Sequence, residues 1–251
     1  MSRPGLTRVS DQVRTQDGVR IAFDCYTADS RGEVVVLCPG FFKSKETAIF
    51  QAMSRRLAQS HDVVCMDFRG HGRSGGRFTF SACEQDDLHA VLEWARARYA
   101  RMAVVGFSLG GAIAIQTLSS ASAKVRSLVA VSVPTSFEEI ELRWWRPEAI
   151  WNGIQGLGRG AGCRPGHPWR RKERPIERVA ALKGLPLLII HGTRDQIVDV
   201  SHSHRLFAAA QEPKRLEIIS GGSHADGLFR QHPERFSQLL LDWCAWTLQE
   251  A

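Results

Sequence analysis

Gly106-Phe107-Ser108-Leu109-Gly110 sets a serine between glycines where a β-prone run ending at Phe107 meets a small-residue helical pattern. A sharp strand-to-helix turn of this kind lifts the serine hydroxyl clear of a sheet, and the helix N-terminus behind it favours negative charge. The hydroxyl becomes a useful nucleophile only when a base takes its proton, and the base needs a carboxylate to orient it. Both partners are expected just past the ends of later strands. After "PLLIIHG" the chain offers Asp195, with Asp199 four residues on; after "RLEIIS" it offers Gly221-Gly222-Ser223-His224. Asp199 also precedes a helical pattern, where Asp is favoured as an N-cap. Among nine histidines, His191 ends a strand and His202 and His204 fall on a helix, whereas His224 follows the last strand. Acyl transfer through a serine nucleophile is the chemistry these residue types fit.

The elements that would position them are legible as alternation. Residues 33–40, 62–68, 101–107, 125–133, 185–192 and 214–220 read as strands whose apolar character is nearly continuous, the mark of strands buried on both faces. Helical patterns fall between and after them at about 46–59, 84–99, 109–121, 201–211 and 233–249. This alternation predicts an α/β fold with a mostly parallel, doubly covered sheet. "VRTQDGVRIAFDCYT" (13–27) has an Asp-Gly turn between two β-prone runs, so an antiparallel hairpin begins the sheet. From about 134 to 184 no strand pattern occurs, and the stretch is rich in Gly, Pro, Trp and Arg. It reads as a short lid-like insertion within a single domain spanning residues 1–251.

Composition narrows the class. A chain of 251 residues with 43% hydrophobic and 24% charged residues can bury a sizeable core unaided. The six cysteines are scattered without a CxxC pair, which suits neither a disulfide scaffold nor a zinc site and points to a reducing, cytoplasmic setting. The polar N-terminus lacks the apolar core of a signal peptide, and no run reaches the ~18 apolar residues of a membrane span. No metal cluster or dinucleotide fingerprint occurs, so no cofactor is implied.

Four motifs, in order, carry a resemblance: "DFRGHGRSGG" (67–76), "GFSLGG" (106–111), "HGTRDQIV" (191–198) and "GGSHAD" (221–226). Over residues 33 to 250 the chain resembles the α/β-hydrolase superfamily, in particular the branch of serine aminopeptidase-type hydrolases, monoacylglycerol lipases and small esterases. The resemblance implies an α/β-hydrolase fold, with Ser108 as nucleophile, Asp195 as acid and His224 as base. It also implies an oxyanion hole made by the backbone N–H groups of Leu109 and of Phe41, the latter in the loop "CPGFFKSK". Pro39 departs from the histidine usual before the glycine of that loop. His71, in the Arg-Gly-His-Gly loop, would shape the turn without taking part in chemistry.

The expected activity is hydrolysis of a small-molecule acyl ester, as in a carboxylesterase or monoacylglycerol lipase. An acyl-thioesterase or acyltransferase would use the same triad, and a ligand-binding protein without catalysis is the alternative of a different class. Phe42, Trp144 and Trp145 are candidate substrate-binding residues, with the bland alternative that they anchor the insertion by packing. Residues 143–178 hold nine basic residues against three acidic ones, which accounts for six of the chain's net charge of +7. Arg143 and Arg146 flank Trp144 and Trp145, a mixture suited to peripheral contact with anionic lipid, unless it is solvated surface. No motif supports nucleic-acid binding, and oligomeric state is left open by the sequence.

Overall fold

The computed structural model describes residues 6–27, 32–120, 125–138, 162–167 and 172–249. Eight strands form one sheet in the order β1-β2-β4-β3-β5-β6-β7-β8. They are β1 (Thr7–Arg14), β2 (Arg20–Thr27), β3 (Glu33–Cys38), β4 (Asp62–Met66), β5 (Arg101–Phe107), β6 (Val125–Val131), β7 (Leu187–Gly192) and β8 (Lys214–Ile219). From β4 to β8 all pairings are parallel; β1 and β2 form the antiparallel hairpin, and β2 runs antiparallel to β4. The hairpin starts at Thr7 rather than near residue 13, because the polar, exposed run TRVSDQVR pairs along all of β2.

The apolar strands are explained by what covers them. In β3, Val34 and Val36 belong to one core while Val35 and Leu37 belong to the other, and all four are fully buried. Period-two alternation thus sends every residue into a hydrophobic layer. One layer is closed by α2 (Glu84–Arg96), α3 (Leu109–Ser120) and α5 (Ser201–Ala209), the other by α1 (Ala48–Leu57), α6 (Asp226–Gln231) and α7 (Pro233–Thr247). A one-turn helix α4 (Pro175–Arg178) precedes β7. Burying one Val or Leu side chain contributes about 1.5–3 kcal/mol, so these two layers carry the fold. Strand β8 departs from the pattern: it lies at the sheet's edge and is mostly half-buried.

The strand ends are what the site inherits. β5, β6, β7 and β8 all run the same way, so the segments after Phe107, Val131, Gly192 and Ile219 emerge on one edge of the sheet. Within the described residues no helix is long and apolar enough to cross a membrane.

Candidate active site

Ser108 occupies the single residue between β5 and α3, with φ at +50° and 8% of its surface exposed. A non-glycine residue in this left-handed region costs about 1–3 kcal/mol and persists only where its surroundings enforce it. The enforcement is visible. The Ser108 N–H donates to the Val131 carbonyl at 2.8 Å, and its own carbonyl accepts from Ala112 N–H at 3.0 Å, opening α3. Gly110 must be glycine, since a Cβ there would overlap the Cys38 and Pro39 carbonyls. That close approach brings the loop after β3 against the elbow. A Cβ on Gly40 would stand 3.5 Å from that of Ser108.

The carboxylate and imidazole meet directly. His224 Nδ1 lies 2.7 Å from Asp195 Oδ2. The other oxygen, Oδ1, accepts from the N–H groups of Ile197 at 3.0 Å and Val198 at 2.9 Å. Burial alone would raise the Asp195 carboxyl, but the His224 charge and hydrogen bonds from His191 and His224 outweigh it. They hold it well below the usual carboxylate range. The two loops pack backbone to backbone: Arg194 N–H donates to the Gly222 carbonyl at 2.9 Å.

Ser132 links the His224 loop to the strand end beside Ser108. It follows Val131, the residue that anchors Ser108, and its hydroxyl accepts the Ala225 N–H at 3.0 Å, one residue past His224. Ser132 (φ +50°) and Ala225 (φ +47°) are strained like Ser108. Three strained residues therefore converge on the end of β6. No hydrogen bond joins Ser108 Oγ to His224 among the described residues; in sites without substrate this contact is commonly long and tightens in the Michaelis complex.

Leu109 is the first residue of α3, so its N–H has no carbonyl partner within the helix. Phe41 N–H, next to Gly40, also donates to no described group. Asp67 fixes this loop: its Oδ1 accepts Lys45 N–H at 2.7 Å and its Oδ2 accepts Arg73 N–H at 2.9 Å. Phe41 stacks on Phe42 with ring centroids 3.8 Å apart and on Phe78 at 5.0 Å, and Phe78 meets Phe80 at 4.7 Å. His71 is packed edge-on to Phe78, its Nδ1–H donating to the Arg69 carbonyl at 3.1 Å. Burial lowers it to about 4, so it is a neutral part of the turn.

The remaining sequence expectations separate. Asp199 is not the N-cap of α5, a place taken by Val200 without a side-chain cap; its Oδ1 accepts the Ser201 N–H at 3.0 Å in the turn just before the helix, while Asp195 takes the imidazole. His202 Nδ1 accepts the Thr135 N–H at 3.0 Å and lies on α5. Trp144, Trp145, Arg143 and Arg146 lie outside the described residues. Residues 162–166 of the insertion cross the 70–78 loop, through Arg164 N–H to the Gly70 carbonyl at 2.7 Å and Phe78 N–H to the Arg164 carbonyl at 2.8 Å. Of the nine basic residues, the four described ones have intramolecular contacts. Arg164 bonds the Ser74 carbonyl, Lys172 sits 5.2 Å over the Phe80 ring, Arg174 pairs with Glu138 at 2.9 Å, and Arg178 pairs with Glu173. Sequence reasoning passed over Ser132, Asp67 and the contacts of His191. Their only local signals were a serine and an aspartate just past apolar strands and a histidine at a strand end.

A sequence model described as the alpha/beta hydrolase family matches residues 35–239, and the chain belongs to that family. A similar protein is an uncharacterized protein of Mycobacterium tuberculosis, 31% identical over 85% of this chain and 71% of that one. Another is the uncharacterized protein YfhR of Escherichia coli K12, 25% identical over 74% of this chain and 61% of that one. Among solved structures, the Pyrococcus furiosus esterase Pf2001 superposes with a TM-score of 0.79 at 20% identity, over 97% of this chain and 94% of that one. The esterase RhEst1 from a Rhodococcus species gives 0.76 at 20% identity, over 95% and 99%. At such identities these likenesses establish a shared fold.

Proposed function

We propose that this α/β hydrolase is a serine esterase that cleaves small acyl esters through an acyl-enzyme. The observation that carries the reading is the Asp195–His224 hydrogen bond, tied through Ser132 to the strand end that anchors the strained Ser108. Ser108 Oγ attacks the ester carbonyl while His224 Nε2 takes its proton. The tetrahedral oxyanion is held by the N–H groups of Leu109 and Phe41. Collapse breaks the bond to the alkoxy group, which leaves as alcohol with the proton from His224. Water then attacks the acyl-serine with His224 again as base, and the carboxylic acid departs.

The aromatic wall of Phe41, Phe42, Phe78 and Phe80 beside the oxyanion loop supports an apolar acyl group. Residues 134–184 would act as a cover on a single domain, supported by the backbone hydrogen bonds that attach residues 162–166 to the 70–78 loop. Six free cysteines support a reducing, cytoplasmic setting. The test is a p-nitrophenyl ester chain-length panel, with thioester and monoacylglycerol substrates alongside. Turnover by the wild type that Ser108→Ala lacks is expected. Equal turnover by the two, or none by the wild type on any ester, would contradict the reading.

A further inference from the structure

We infer that His191 is a positioning residue for Asp195, a fourth polar contact of the acid beside the Ile197 and Val198 N–H groups and His224. This inference rests on the esterase reading and deepens it. His191 is the penultimate residue of β7, four before Asp195, and is fully buried. Its Nε2 lies 3.0 Å from the Val198 carbonyl and 3.1 Å from Asp195 Oδ2. A carbonyl can only accept, so Nε2 carries the proton, donates it to Val198 and sets the positive N–H beside Asp195 Oδ2. Nδ1 is then left to accept the Ser203 hydroxyl at 2.5 Å, which fixes the ring to α5.

The consequence concerns the carboxylate's orientation. Two backbone N–H groups hold Oδ1, but among the described residues only His224 and His191 reach Oδ2. Without His191 the remaining contact of Oδ2 among the described residues would be His224, the base it is meant to aim. The His191 N–H comes instead from the end of β7, a strand paired on both sides. It also joins the first and last residues of the 195–198 turn, since Asp195 and Val198 both face its Nε2. Because Nδ1 is occupied by Ser203 and Nε2 by acceptors, His191 cannot replace His224 as the base.

Partners that orient metal ligands cost about 10–100-fold in activity when removed, and a loss of the same order is expected for a group that orients the acid. The experiment compares wild type, His191→Leu, His191→Gln and His191→Asn, each as the full chain, on p-nitrophenyl butyrate with thermal melting as a fold check. Glutamine carries its amide NH2 to the position of the ring's Nε2, whereas asparagine is one methylene too short. The expected result is a fall in kcat of about 10–100-fold in the leucine and asparagine variants with KM little changed, and recovery to within a few-fold of wild type by glutamine. Should the leucine variant fail to fold, the glutamine and asparagine pair decides by itself. Equal kcat in those two, or in wild type and leucine, would overturn the role of His191 while leaving the esterase reading intact. A wild type with no turnover would overturn both.

Discussion

Two carboxylates lie just past strands of the parallel sheet, Asp67 after β4 and Asp195 after β7, and both side chains are shut off from solvent. Burial is the largest influence on each and pushes each upward. They end in opposite places. Asp67, held by the N–H groups of Arg73 and Lys45 and by the Lys45 charge, is still raised to about 6. Asp195 faces two imidazoles and is held far below the ordinary range. Depth and sheet position are thus shared; the partners differ. A carboxylate whose donors are backbone N–H groups alone fixes a loop, here the one that carries Phe41, whereas Asp195 has two such donors and the imidazoles besides. One given an imidazole with a transferable proton can serve a base.

The largest expected effect separates them by rate. Asp195→Asn should lower kcat by roughly 10⁴, the loss seen in the serine-protease case when the orienting carboxylate becomes an amide. Asp67→Asn should lower kcat by no more than about tenfold, because it disturbs the loop and leaves the triad's proton path in place. Steady-state kinetics on one ester would measure both, and similar losses would erase the distinction.

The next effect separates them by pH. For Asp67 the folded value, about 6, exceeds the ordinary 3.8, so the folded protein binds the proton more tightly. Its contribution to stability is complete below about 3.8 and is lost as pH rises through about 6, by an amount on the order of 3 kcal/mol. For Asp195 the folded value is depressed, so its contribution is present above the ordinary value of 3.8 and lost as pH falls through the acid range. Denaturant midpoints across pH 3 to 8 should therefore show Asp67→Asn gaining on wild type as pH rises. Asp195→Asn should gain on it as pH falls. Slopes of the same sign would break the comparison.

A smaller effect tests the contact between the two regions. In Gly110→Ala the added methyl would press on the Cys38 and Pro39 carbonyls, costing about 1–3 kcal/mol as an overpacked position and moving Phe41 away from Ser108. Thermal unfolding and kcat should fall together. The smallest effect belongs to Asp199→Asn, whose amide oxygen can accept the same Ser201 N–H in the turn before α5, and it should change stability by under about 1 kcal/mol with kcat unaltered.

How much of this was legible follows from how local each signal is. Ser108, Asp195 and His224 stand in short motifs at strand ends, so spacing alone nominated them. Strands β3 to β7 were visible because two hydrophobic layers demand apolar side chains at nearly every position. Where one layer is missing the signal weakens: exposed β1 began earlier than its apolar residues suggested. Asp67 holds Lys45, 22 residues away, and Ser132 holds Ala225, 93 away; such pairings depend on the tertiary fold and leave no trace in local pattern. His191 was visible as a strand-ending histidine, but its partners depend on how the 195–198 turn closes. The six-residue helix α6 is too short for its periodicity to stand out.

The central claim is that one serine is activated by the Asp195–His224 pair. It is tested most directly by labelling with a fluorophosphonate and mapping the adduct by peptide mass spectrometry. Ser132 makes the mapping decisive, being a second buried serine with positive φ at the same sheet edge. The account predicts a single adduct on Ser108, formed far more slowly in Asp195→Asn and absent in Ser108→Ala. An adduct on Ser132, or labelling of Ser108 at an undiminished rate in Asp195→Asn, would contradict it.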